Sequence, residues 1–213
     1  MATGQDTATA AARGGNLTAK GRATRGRIVE VAAQLMLERG VARTTVEDIQ
    51  SEARVSASQL YHYFGDKKAL VHAVIEHMTD QVLCTQRQAA GPLDSFAALE
   101  RWRDFVVDFQ RQRGGAGGCP LGTLVSDLAE TDPQARAELA ASLGQWEGLL
   151  RDGLTAMRDR GELSPAADPD QLALALLAAV QGGLLLSQAR RDTRALEVAL
   201  DTALAHLRTL ARA

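Results

Sequence analysis

The sequence predicts an all-α protein of about nine helices, and three observations support that class. Alanine and leucine recur through the C-terminal half while only 4% of the residues are aromatic, a mix that favours helices over strands. No segment alternates apolar and polar residues over a useful length, which argues against a sheet. Apolar residues recur instead at helical spacing between clear breakers: GP at 91–92, GGAGGCP at 114–120, DP at 132–133 and SPAADPD at 164–170. With 213 residues, 46% of them hydrophobic and 23% charged, the chain can bury one sizeable core, or a small domain joined to a larger one, without disulfide staples.

Residues 1–19 are rich in Ala, Thr and Gly without an apolar period and read as a mobile arm. A first helix is expected over 24–39, with Ile28, Val31, Ala32, Leu35 and Met36 on one stripe and Gly40 ending it. Thr45 suits the N-cap of a short helix through Ala53, with Asp48 where a capping box usually carries Glu. Ser56 caps a third helix over 56–63, and Asp66 caps a fourth over 66–88 that carries Leu70, Val71, Val74, Ile75 and Met78. Further helices are expected near 93–113, 120–131, 133–160, 168–190 and 192–211. The domains so drawn are 20–65 and 66–213, with 66–88 as the connecting helix.

The stretch TTVEDIQSEARVSASQLYHYFGDKKAL, residues 44–70, carries the chemistry. A short helix, a tight turn at 53–55 and a second short helix follow the helix-turn-helix plan, in which the second helix enters the major groove and the first braces it. Val46 and Ile49 can pack on Val55, Leu60 and Phe64, leaving Ala57, Ser58, Gln59, Tyr61 and His62 to face outward. Those residues suit a groove: Gln59 can pair with adenine, Ser58 with several base edges, Ala57 with a thymine methyl, and Tyr61 and His62 with phosphates. Thr45 and Lys67 stand at helix starts, where backbone N–H groups and the helix dipole favour phosphate. The formal net charge of −2 is compatible with this, because residues 13–68 hold 10 basic residues against 6 acidic ones and the excess of acid lies in the C-terminal half.

ARTTVEDIQSEARVSASQLYHYFGDKKAL, preceded by TRGRIVEVAAQLMLERGV, resembles the signature of the TetR family of regulators over about residues 22–80. The resemblance implies a helical homodimer with three DNA-binding helices and a fourth that connects them to a ligand domain. It places the DNA-contacting positions at Thr45, Ala57, Ser58, Gln59, Tyr61, His62, Tyr63 and Lys67. It also implies an approximately palindromic operator, read by two symmetric recognition helices. One departure is Arg54, where the family usually has Gly; a non-Gly residue at positive φ costs about 1 kcal/mol.

The C-terminal half is less specific. Leu172, Leu176, Val180 and Leu184 form one stripe, and Leu196, Leu200, Ala203, Leu207 and Leu210 another, suited to a dimer interface over 168–190 and 192–211 or to the chain's own core. Gly182 and Gly183 would admit a neighbouring backbone. Trp102, Phe105, Phe109, Leu124, Trp146, Leu150 and Met157 are candidates to line an apolar effector cavity, with ordinary core as the alternative. Pro120 suits the first helical position, making Cys119 an N-cap where the dipole favours thiolate, with glycines leaving it accessible. A thiol-based sensor of electrophiles or oxidants is therefore the alternative to a repressor released by a small molecule.

An enzyme is not expected. His62, His72, His77 and His206 make no metal-ligand spacing, Cys84 and Cys119 are too few for a zinc site, and GGAGGCPLG lacks the Gly-Lys-Ser/Thr ending of a phosphate loop. Neither a metal nor a cofactor is expected. No apolar run is expected to approach the 18 or more residues a membrane span needs, and the opening MATGQDTATAAARGGN has no signal-peptide core, so a cytoplasmic protein is expected.

Overall fold

The computed structural model describes residues 17–212. Nine helices follow one another among the described residues: α1 (Ala19–Arg39), α2 (Val46–Ala53), α3 (Ala57–Phe64), α4 (Lys67–Ala90), α5 (Phe96–Gln112), α6 (Pro120–Leu128), α7 (Pro133–Asp159), α8 (Pro169–Arg190) and α9 (Arg194–Thr209). They hold no strand; Leu163 and Ala211 form one isolated bridge. The chain divides into two compact units between Val74 and Ile75, inside α4.

In the first unit, α1 begins earlier than the apolar pattern predicts. Thr18 is its N-cap and accepts from Gly21 N at 3.1 Å, so a capped but polar turn precedes the amphipathic part, which starts only at Ile28. Residues 1–16 of the expected arm lie outside the described residues, and Ala19 is helical. Ile28, Val29, Ala32, Ala33, Leu35 and Met36 are buried, and α1 packs on α2, α2 on α3. Gly40 ends α1 with φ 85°, and buried Thr44 donates to the Gly40 carbonyl at 2.9 Å.

The second unit is a helical stack in which α8 packs on both α7 and α9, α6 on α7 and α5 on α9. Asp132 and Asp168 each cap a helix that opens with proline, which lacks only an N–H that the first turn leaves unpaired. Polar contacts tie α4 into this unit. Thr79 Oγ1 and Ser142 Oγ are 2.7 Å apart, both buried, and Trp102 Nε1 donates to Gln86 Oε1 at 2.6 Å.

Two expectations about α8 and α9 need correction. The stripe Leu172, Leu176, Val180 and Leu184 faces the chain's own core, as do Leu196, Leu200 and Leu207, with Ala203 and Leu210 half-buried. Gly183 serves the same core: a Cβ there would stand 2.7 Å from Leu196 Cα, so the glycine lets α9 approach, whereas Gly182 faces open space. Secondly, α8 is long and apolar enough, by length and composition, to cross a bilayer, because interspersed Gln and Gly do not lower its hydropathy enough. Its apolar residues occupy nearly every face; one side is buried in the unit, and Leu174, Leu185 and Leu186 on the other are exposed.

Candidate nucleic-acid interface

Helices α2 and α3 are each closed at the start by a reciprocal capping box. Thr45 Oγ1 accepts from Asp48 N at 3.1 Å while Asp48 Oδ2 accepts from Thr45 N at 3.0 Å. Ser56 Oγ accepts from Gln59 N at 3.2 Å while Gln59 Oε1 accepts from Ser56 N at 3.0 Å. Asp thus fills the place that a longer Glu usually takes, which is sterically sufficient because the Thr45 hydroxyl also lies 2.8 Å from Asp48 Oδ2. The Thr45 backbone N–H, then its hydroxyl, hold the Asp48 carboxyl below its ordinary value against a small opposing effect of desolvation; Arg39, 3.8 Å away, adds to the lowering.

The turn between the helices is built on Arg54, which is left-handed at φ 53°, ψ 52°. Its N–H reaches Ser51 O, and the following Val55 N–H reaches back to Gln50 O at 3.1 Å, so the carbonyls at the end of α2 are satisfied. Arg27 Nε adds a bond to Ala53 O at 3.0 Å. Ile49, Leu60 and Phe64 are buried and Val46 and Val55 half-buried, the inward set that the apolar pattern implies. Arg25 stacks over the Phe64 ring at 5.2 Å.

Ala57, Ser58, Gln59, Tyr61 and His62 are all exposed, on one short helix whose other side is pinned by Leu60 and Phe64. Tyr63 is half-buried, edge-on to both His62 and Phe64, and its hydroxyl lies 3.6 Å from where a Cβ on Gly21 would stand. The first turn of α1, with exposed Lys20 and Arg22, therefore lies beside α3; apolar periodicity misses this turn, and the T-x-x-G cap is the signal that finds it. Lys67 is half-buried, and its Nζ donates to the Val41 carbonyl at 2.9 Å, which ties the start of α4 to the α1–α2 connection. Its other two ammonium hydrogens remain available to an anion.

Of the residues proposed from sequence as a cavity lining, Cys119 alone borders either of the two grooves described below. Trp102, Leu124, Trp146, Leu150 and Met157 are buried as core. Phe105 and Phe109 are neighbours 6.0 Å apart on α5, Phe109 being exposed with Arg113 stacked on it. Cys119 is the N-cap of α6 without a capping bond, as expected, but it is only 8% exposed, its Sγ accepting from Gln181 Nε2 at 3.4 Å. The glycines before it do not open it to solvent: Gly115 and Gly118 lie against Ser187, Gln188 and Arg191, the end of α8 and its C-cap. The thiol borders a groove of about 280 Å³ between α6 and α8. A second groove, of about 470 Å³, lies at the end of α4, against the α4–α5 connection and α7, and none of the proposed lining residues borders it.

Residues 28–74 match the family described as bacterial regulatory proteins, tetR family, and residues 96–203 match the tetracyclin repressor-like C-terminal domain. Among individual relatives, an uncharacterized HTH-type transcriptional regulator of Lactococcus lactis is 29% identical, over 84% of this chain and 91% of its own length. The HTH-type transcriptional repressor KstR2 of Mycobacterium tuberculosis is 30% identical, over 68% and 72%. Among solved structures, a regulatory protein TetR from Rhodobacter sphaeroides superposes with a TM-score of 0.75 at 25% identity, covering 86% of this chain and 98% of that one.

Proposed function

The chain belongs to the TetR family of bacterial transcriptional regulators, DNA-binding proteins that dimerise and respond to small molecules, and from that premise we propose that it is a repressor released from its operator by an effector bound in the second unit. The observation that carries the DNA-binding part is the exposed face of α3. Ala57, Ser58, Gln59, Tyr61 and His62 are free of the core while Leu60 and Phe64 anchor the helix, the arrangement a recognition helix needs to enter a major groove. Ser58 and Gln59 offer hydrogen bonds to base edges and Ala57 a contact for a thymine methyl. In this reading Thr45, Tyr61, His62, Tyr63 and Lys67 take phosphates, which orient the protein but carry no sequence information.

Dimerisation is assigned to the outer faces of α8 and α9. Leu174, Leu185 and Leu186 on α8 and Val198 on α9 are all more than 40% exposed, and a helix that is apolar all round is not stable against water on one side. Two copies related by a two-fold axis would bury these faces and present two recognition helices to an approximately palindromic site, in the cytoplasm where the chromosome lies. Electrophoretic mobility shift with the DNA flanking the gene tests the reading: a discrete complex that competitor DNA does not abolish supports it, and binding no tighter than to random DNA refutes it.

A further inference from the structure

Building on the reading that the second unit senses a small molecule, we propose that the effector site is the groove at the end of α4 and that it takes a small organic anion, a carboxylate on a compact apolar body. The groove is formed by the last turns of α4, the α4–α5 connection and α7, and its volume of about 470 Å³ falls among those of small-molecule sites. Leu93, Leu149 and Ala156 give it apolar walls. A Cβ at Gly153 would collide with the Leu93 carbonyl, so the connection lies directly on α7 and one end of the groove is shaped by backbone.

The donors left free at its edge decide the chemistry of the ligand. Asp94 has Arg160, 3.6 Å away, also bonded to its carbonyl and shared with Glu162, and Asp152 has Arg151 at 3.8 Å, shared with Asp170. Arg87 makes no ion pair among the described residues, so it is the charged donor of the groove left to a ligand. Beside it stands Gln86, only 8% exposed. The indole Nε1 of Trp102 is a donor only, so it fixes the carboxamide with Oε1 toward Trp102 and leaves the Nε2 hydrogens, which make no bond among the described residues, for a ligand on the groove side. A guanidinium and an amide N–H group lining one groove with apolar walls match a carboxylate attached to a short alkyl or aryl group.

Trp102 makes the site observable, because a ligand on Gln86 perturbs the partner of one of two tryptophans. Benzoate and hexanoate are titrated into the full chain, up to about 10 mM, with benzamide and hexylamine as neutral and cationic counterparts, following tryptophan fluorescence and thermal unfolding. Both carboxylates are expected to saturate, and benzamide and hexylamine to bind more weakly, on the order of tenfold. Arg87→Gln should cost carboxylate affinity on the order of tenfold while leaving helix content and thermal unfolding unchanged, Arg87→Lys should retain most of the affinity, and Cys119→Ser should change nothing. No saturable response to either carboxylate, equal affinity for benzamide, or an unchanged affinity in Arg87→Gln overturns the proposal. So does a carboxylate that binds through Arg87 yet leaves operator binding unaltered. Operator binding by the ligand-free protein is measured alongside, and its absence would refute the regulator reading, whereas its presence with no carboxylate response refutes the groove assignment alone.

Discussion

Gln59 Oε1 lies 3.0 Å from the backbone nitrogen of Ser56, so the side chain best suited to read adenine is also the one that closes the start of its own helix. Bidentate pairing with adenine uses both the carbonyl and the amide of Gln, and the box holds the carbonyl turned back toward Ser56. The two roles separate by substitution. Gln59→Glu keeps an acceptor at the box position and should leave stability within about 0.5 kcal/mol, yet it removes the amide donor and adds a negative charge, so operator affinity should fall. Gln59→Ala should lose about 0.5–1 kcal/mol of stability as well as base preference. Denaturant unfolding and fluorescence anisotropy on the same preparations check both; a Gln59→Glu protein that binds operator as tightly as the native one removes Gln59 from the interface.

The same dual use applies to Lys67, whose ammonium donates to Val41 O. Lys67→Met keeps the aliphatic stem but loses the donor and charge. Binding to all DNA sequences should weaken alike, with the slope of log K against log salt reduced by about one, and loss of the bond to the Val41 carbonyl should cost on the order of 1 kcal/mol of stability. An unchanged salt slope would show that Lys67 serves only the α1–α2 connection.

Asp48 makes the stability of α2 depend on acid. Its carboxyl is held below its ordinary value in the folded chain, first by the Thr45 N–H and then by the Thr45 hydroxyl, so the stabilisation is fully present above the unfolded value, about 4, and disappears as pH falls through the folded one. Asn at this position can still accept the cap bond but has no proton to gain. Urea midpoints measured between about pH 5 and pH 2.5 should therefore fall more steeply for the native chain than for Asp48→Asn. Parallel curves would show that the box does not couple to protonation.

How much of this was legible in the sequence depends on whether a feature is local. Thr45, Ser56, Asp66, Asp132 and Asp168 announce helix starts through short-range hydrogen bonds, and Gly40 an end, so helix positions could be read residue by residue. The helix-turn-helix was legible for the same reason, down to the strained Arg54. The start of α1 was not, because its first turns have no apolar side to betray them. Nor was the inward direction of the α8 stripe: when nearly every face of a helix is apolar, periodicity cannot say which face meets α9. The groove beside Gln86 depends on which arginines Asp94 and Asp152 have already taken, and one of these, Arg160, is 66 residues from Asp94.

Leu184 and Leu185 are sequence neighbours with opposite surroundings, 7% and 66% exposed. Leu185→Glu should yield a monomer by sedimentation while retaining helix content, because the carboxylate lies in water until a partner arrives. Leu184→Glu should abolish cooperative unfolding, since a charge buried without a partner costs several kcal/mol. A Leu185→Glu protein that remains dimeric would move the interface away from the outer face of α8.

The coupling between ligand and DNA should run through α4, which is one helix on both sides of the division between Val74 and Ile75. In the second unit this helix is held by Thr79 on Ser142 and by Gln86 on Trp102, so a ligand touching Gln86 acts on a polar contact that positions it. Release can be no stronger than the effector's differential affinity for the free and operator-bound forms, and a 100-fold loss of operator binding requires about 2.7 kcal/mol of coupling. Because the coupling is reciprocal, operator DNA must weaken benzoate binding by the factor by which benzoate weakens operator binding. Thr79→Val should reduce that factor without unfolding the chain, since Ser142 still donates to the Glu138 carbonyl and valine leaves no buried hydroxyl of its own. Calorimetric titration of benzoate with and without operator, on the native chain and on Thr79→Val, checks both statements; equal benzoate affinities in the two titrations of the native chain would exclude release of DNA through this groove.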